Sequence, residues 1–254
     1  MSTTELDGFE IAYEVTGDGP AVLFTHGYQA TGAMWGAQHD ALGPRYKVIS
    51  WDLRGHGDSG APDDPAQYSH ELVVEDMRRL LERLGDERAV LVGHSLGGFA
   101  SLRFYLDHPE MVRGLVLFGS GPGYRDPDAR ARWNEMASRF AGSVEAKGLE
   151  ILKRAKGMEV STAKHRSAIG LAHAGRHMLA QFDSRVMDAI TDIHAPTLVI
   201  VGGEDERFLG SSEYMAKKIP GARLVLVDGA GHAANMEKPD EFNAALLDFL
   251  DALP

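Results

Sequence analysis

The apolar positions of this chain fall into two kinds of stretch. Some are short and nearly continuous, such as Ala21-Val22-Leu23-Phe24, Ala89-Val90-Leu91-Val92 and Thr197-Leu198-Val199-Ile200-Val201. Four to six residues rich in aliphatic and β-branched side chains are too few for a helix, and they predict buried strands. By this criterion strands lie near 21–26, 46–52, 89–93, 112–118, 197–202 and 223–227, after a hairpin-like start over 9–15. In the other stretches apolar residues recur every three or four positions. Ser69-His70-Glu71-Leu72 opens a helix whose apolar members are Leu72, Val73, Met77, Leu80, Leu81 and Leu84, closed by Gly85. A last helix begins near Pro239 and runs through Phe242, Leu246, Leu247, Phe249 and Leu250. Strands alternating with helices predict an α/β protein, with a largely parallel sheet covered on both faces.

One region breaks the alternation. Residues 122–190 contain no strand pattern, only helical ones, and Trp133, Met136, Ala137 and Phe140 fall on one face of a predicted helix. The region holds 12 Lys and Arg against 8 Asp and Glu, in a chain whose net charge is −11. The plain reading is a solvated basic face. The sharper one is a pocket preferring anionic substrates, with Arg125 and Arg176 as the inward-facing candidates.

The most telling chemistry is Gly93-His94-Ser95-Leu96-Gly97, placed between a strand and a predicted helix from Phe99 to Leu106. Strand, tight turn and helix around G-x-S-x-G form a nucleophile elbow, which presents a serine hydroxyl at the sheet edge. Serine needs a base, and the base needs a carboxylate to fix its tautomer, in the chain order Ser, acid, His. Of eleven histidines, His232 lies in Asp228-Gly229-Ala230-Gly231-His232 directly after a strand, where open α/β sheets place their sites. The acid is sought in Gly202-Gly203-Glu204-Asp205-Glu206 after the strand at 197–202. Asp205 fits best and Glu204 is the alternative.

Three further segments complete a resemblance. His26-Gly27-Tyr28 follows the strand at 21–26, Asp52-Leu53-Arg54-Gly55-His56-Gly57-Asp58-Ser59 follows the next strand, and Gly231-His232 leads into Glu237, Pro239 and Phe242. Together with the elbow and the acid loop they are similar to the α/β-hydrolase superfamily over nearly the whole chain, most of all to its esterase and enol-lactonase branch. The resemblance implies an eight-stranded, mostly parallel sheet with helices on both faces. It also implies a core domain of residues 1–121 and 191–254, with residues 122–190 inserted as a helical cap. It implies a catalytic triad of Ser95, Asp205 and His232, with an oxyanion hole made by the backbone N–H groups of Tyr28 and Leu96. Tyr28, His94, Trp133 and Met136 are expected at the substrate, and the Asp52–Ser59 loop is read as architectural.

The implied reaction is hydrolysis of a small carboxylic ester or lactone through an acyl-enzyme. Hydrolysis of carbon–carbon bonds in ring-cleavage products uses the same triad, but that branch tends to carry tryptophan after its histidine, where this chain has Ala233. Epoxide hydrolases and dehalogenases need an aspartate in place of Ser95. Perhydrolase activity is an accessory property of small esterases. A signalling receptor that binds a small ligand on this fold with slow turnover or none is the alternative from another class.

Composition narrows the setting. There is no cysteine, so disulfides and thiol chemistry are excluded, and no histidine spacing suits a metal; no cofactor or metal is expected. The acidic balance argues against nucleic acid as a partner. Neither a secretory leader nor an apolar stretch of membrane-spanning length is legible, so a cytoplasmic monomer or homodimer without membrane association is expected.

Overall fold

The computed structural model describes residues 1–6 and 8–254. Eight strands form one sheet in the order β1-β2-β4-β3-β5-β6-β7-β8, where β1 is Ser2–Leu6, β2 Phe9–Thr16, β3 Ala21–Thr25 and β4 Lys47–Trp51. The remaining strands are β5 Ala89–His94, β6 Val112–Phe118, β7 Thr197–Gly202 and β8 Arg223–Val227. β1 and β2 pair antiparallel with their neighbours, and all pairs from β4 through β8 are parallel.

Successive residues of the central strands point to opposite faces and enter two separate cores. Leu23, Ile49, Leu91, Leu115, Leu117 and Val199 pack with the helices His70–Arg83 and Leu96–Asp107 on one face. Val22, Phe24, Val48, Val92, Phe118 and Ile200 pack on the other with Trp35, Leu42 and the helix Pro239–Asp251. Burial on both sides is why these strands are continuous apolar runs rather than alternating ones. The helix at 70–83 starts where Ser69 accepts the Leu72 N–H at 3.2 Å.

β1 has no counterpart in the apolar pattern. Ser2-Thr3-Thr4-Glu5-Leu6 is an edge strand with one partner, and only Leu6 is buried. It needs no apolar run because it covers no core on either face beyond its last residue.

Residues 122–190 enter between β6 and β7 and contain only helical segments: Pro127–Lys147, Leu149–Arg154, Met158–Ser161, Ala168–Ala174, a π-helical turn at Gly175–Leu179, and Arg185–Asp188. The stripe of the long helix is rotated from the predicted one. Ala137, Ala141 and Val144 are buried, while Phe140 is 36 % exposed. Small side chains let this helix lie close to 168–174, which turns the larger Phe140 outward. Among the described residues no helix is long and apolar enough to cross a membrane.

Candidate active site

Ser95 stands between β5 and the helix Leu96–Asp107 with φ 50° and ψ −112°, a backbone state rarely tolerated outside glycine. The turn is held because the Ser95 N–H donates to Phe118 O at 2.9 Å and the Ser120 hydroxyl donates to Ser95 O at 2.7 Å. Its flanking glycines answer to backbone sterics. A Cβ on Gly93 would lie 2.3 Å from Gly97 O, and one on Gly97 would lie 2.2 Å from Thr25 O. The helix thus begins directly against the end of β3.

That contact brings the 26–29 loop to the serine. A Cβ on Gly27 would lie 2.8 Å from His94 Nδ1 and 3.0 Å from Ser95 Cβ. The N–H groups of Tyr28 and Leu96 have no acceptor within the protein among the described residues. Leu96 is the first residue of its helix, where an N–H has no intrahelical partner and the helix dipole favours negative charge.

His232 Nδ1 lies 2.6 Å from Asp205 Oδ2. Asp205 is buried, as a carboxylate acting on one imidazole should be, whereas Glu204 is exposed and engages the core only through its N–H to Ala230 O at 2.9 Å. An ionised Asp205 accepts from Nδ1–H, which leaves Nε2 as the basic nitrogen. The imidazole is clamped between rings, stacked on Phe208 at 4.9 Å and against His94 at 4.4 Å between centroids. Glu237 accepts the N–H groups of Gly231 at 2.7 Å and Ala233 at 3.3 Å, bracketing the histidine.

A cavity of about 80 Å³ opens beside Ser95. Leu96, Trp133, Leu179, Gln181, Arg207 and Phe208 are among its walls, so both the core and residues 122–190 contribute. Trp133 is anchored by Nε1–H to Leu179 O at 2.8 Å.

The other expected substrate contacts are placed differently. His94 is 1 % exposed and lies behind the site, its Nε2–H donating to His232 O at 3.0 Å; burial holds its pKa well below the usual histidine value, so it is neutral. It is a support for His232 rather than a wall of the cavity. The Tyr28 hydroxyl donates to Leu171 O at 3.0 Å and its ring meets His56 edge-on, so the phenol ties the loop to the 122–190 region instead of lining the cavity. Met136, one turn along from Trp133, also stands outside that wall. Arg125 pairs with Asp188 on an exposed surface, and Arg176 pairs with Glu145. Neither faces the cavity.

The Asp52–Ser59 loop is a scaffold. Asp52 accepts the Gly32 N–H at 2.7 Å and the Asp58 N–H at 2.8 Å. Arg54 pairs with Asp76 of the helix at 70–83 through Nε and Nη2, at 2.5 and 2.7 Å.

Several contributors have no sequence signal. His165, from the 122–190 region, accepts the Gly57 N–H at 3.0 Å on Nδ1 and donates from Nε2 to Gln29 O at 3.0 Å. Its ring meets that of His56 edge-on, and His56 lies tilted against His26 of the 26–29 loop. Burial lowers the pKa of His26 and of His165 to about 4, and that of His56 well below its usual value. Glu159, also from this region, is buried; desolvation raises its pKa, partly offset by the nearby His232. His165 and Glu159 sit on segments with no motif, and only packing brings them there.

Residues 20–239 match the family model described as the alpha/beta hydrolase fold, and the chain belongs to that family. It is similar to the putative 2-succinyl-6-hydroxy-2,4-cyclohexadiene-1-carboxylate synthase of Bacillus subtilis, with 26 % identity over all of this chain and 99 % of that one. It is 31 % identical to the putative carbamate hydrolase RutD of Klebsiella pneumoniae over 92 % of each chain. The solved enol-lactonase of Burkholderia xenovorans superposes with a TM-score of 0.80 at 25 % identity, covering 98 % of this chain and all of that one.

Proposed function

We propose that this α/β hydrolase cleaves small carboxylic esters or lactones by a serine mechanism, with residues 122–190 as the cap that roofs the site. Ser95 attacks the carbonyl, His232 Nε2 takes the proton, and Asp205 stabilises the imidazolium through Nδ1–H. The backbone N–H groups of Tyr28 and Leu96 receive the negative charge of the tetrahedral oxygen; one such donor is typically worth about 2.7–4 kcal/mol of barrier. The proton then passes to the leaving alcohol, and water releases the acid by the same steps in reverse.

The observation that carries this reading is the 2.6 Å contact between His232 Nδ1 and buried Asp205, on loops adjoining a serine held at positive φ. That geometry is costly to maintain and has no structural use evident at Ser95 beyond presenting the hydroxyl. The enol-lactonase likeness supports the choice of ester or lactone over other carbonyl substrates.

The test is a panel of p-nitrophenyl esters, lactones, carbamates and dienoates, combined with a fluorophosphonate probe. Ester or lactone turnover, probe label on Ser95, and loss of both in Ser95→Ala are expected, leaving at most a residual ~10³–10⁴-fold over water. Turnover confined to the dienoates or carbamates would replace the ester reading. Binding of a panel member with turnover far below about 1 per second would favour a receptor.

A further inference from the structure

The cavity beside Ser95 has one charged wall among the described residues, Arg207, and no acidic one. Arg207 stands two residues after Asp205, on the same loop, and its exposed side chain lies with the guanidinium carbon 5.9 Å from the ring centroid of the outward-turned Phe140. It makes no ion pair among the described residues. Five arginines of the neighbouring helical region are paired: Arg125 with Asp188, Arg139 with Glu135, Arg166 with Asp58, Arg176 with Glu145 and Arg185 with Asp107. A guanidinium carries five donors in a planar fork, and those of Arg207 have no protein acceptor among the described residues.

Gln181 is a polar residue of the same wall. Its backbone is pinned from both sides by Asn134, which accepts the Gln181 N–H at 2.7 Å and donates to Gln181 O at 2.7 Å. Its side-chain amide oxygen is buried with no hydrogen-bond partner, on a residue 7 % exposed. An unpaired amide oxygen accepts and cannot donate, so it would pair with a donor on an occupant and not with the oxygens of a carboxylate or ester. A purely hydrocarbon acyl group would leave the Arg207 donors unanswered.

We propose that the cavity takes an ester carrying a carboxylate remote from the scissile bond, with Arg207 as the specificity residue that binds the carboxylate. The proposal rests on the ester-hydrolase reading of Ser95 and adds the substrate class. A cavity of about 80 Å³ holds roughly half a dozen water-sized groups at about 10–15 Å³ each, which fits the monoester of a short dicarboxylic acid. The preference is local. With a net charge of −11 the molecule as a whole repels anions, so the cation must act at close range.

Methyl hexanoate and methyl hydrogen adipate differ only in a terminal methyl against a carboxylate, and methanol release gives kcat/KM for each. The wild type is expected to favour the adipate monoester by about tenfold or more, as charge-assisted bidentate pairing allows. Arg207→Gln should reduce that ratio about tenfold. Arg125→Gln, on the exposed pair with Asp188, should leave it as it was. Raising salt from 0.1 M to 1 M should shrink the wild-type ratio, since the Debye length falls from about 10 to 3 Å. Equal ratios in wild type and Arg207→Gln, with methyl hexanoate still turned over, would overturn the proposal and leave the hydrolase reading intact. Should neither ester be turned over, that failure bears on the reaction, which the wider panel decides, and not on the anion site. Calorimetric titration of both esters into Ser95→Ala and into Ser95→Ala with Arg207→Gln then decides the anion site without turnover. Tighter binding of the adipate monoester that depends on Arg207 upholds it, and equal binding of the two esters sinks it.

Discussion

The carboxylate of Glu237 holds the backbone on both sides of His232, taking the N–H of Gly231 at 2.7 Å and that of Ala233 at 3.3 Å. It touches neither the imidazole nor Ser95. Its effect is to fix the loop from which the ring projects, five residues before Glu237 in sequence.

From this, Glu237→Ala is expected to lower kcat between about tenfold and 10²-fold, the range that small misplacement of a reacting group costs. KM should change little, because the residue is not a cavity wall. Glu237→Gln keeps one oxygen acceptor and should recover part of the loss. The rate of fluorophosphonate labelling should fall in parallel with kcat; an unaltered rate would show that the loop holds its place without Glu237.

Asp205 and Glu204 are neighbours with opposite environments, one buried on His232 and the other exposed. Asp205→Asn should preserve folding and cost up to ~10⁴ in kcat, through loss of the charge and of the correct tautomer. Glu204→Gln should cost less than about twofold. Steady-state kinetics on the two variants checks both; a reversal of their effects would make Glu204 the acid.

Two glycines separate a steric requirement from a conformational one. Gly97→Ala drives a methyl to 2.2 Å from the backbone oxygen of Thr25, which no rotamer can relieve, and should destabilise by several kcal/mol or prevent expression of folded protein. Gly142 lies inside the helix Pro127–Lys147 with open space where a Cβ would be. Gly142→Ala should add about 0.5–1 kcal/mol, a rise of roughly 1–4 °C in Tm for a chain of this size. Thermal melts of the two variants give the contrast directly.

The buried histidines predict a pH dependence of stability. His165 is neutral when folded, with its pKa lowered to about 4 by burial, and unfolding returns it to its usual value near 6.5. Between those values the unfolded chain binds the proton and the folded one does not, so the histidine weakens folding progressively as pH falls from 6.5 to 4. One such group contributes a slope of at most about 1.4 kcal/mol per pH unit. His165→Gln should therefore flatten the fall of the urea midpoint across this window by up to one proton's worth, while lowering stability at pH 7 through its lost contacts with Gly57 and Gln29. Parallel curves for the two proteins would mean that His165 is not kept neutral.

The strands β3 to β7 were legible because each is buried on both faces, which writes itself as a mostly apolar run, and β8 was legible from its apolar residues although it is an edge strand with Leu226 exposed. β1 was not, because an edge strand with one buried residue carries no such signal. The turn at Ser95 was equally legible: its glycines answer to backbone atoms of adjacent elements, a requirement that leaves the same spacing in any chain with this geometry. His232 and the acid loop followed from their positions after strands. Only tertiary packing distinguished Asp205 from Glu204, since burial and the 2.6 Å contact are properties of the assembled loops rather than of two adjacent acids in sequence. The charge excess of residues 122–190 was visible in composition, yet its direction was not. Arg125 and Arg176 found carboxylates from other segments, while Arg207, from outside that region, became the cation of the cavity. Sequence determines where rigid backbone geometry demands particular residues at short range. Long side chains and loops are placed by partners far along the chain, and those the fold alone supplies.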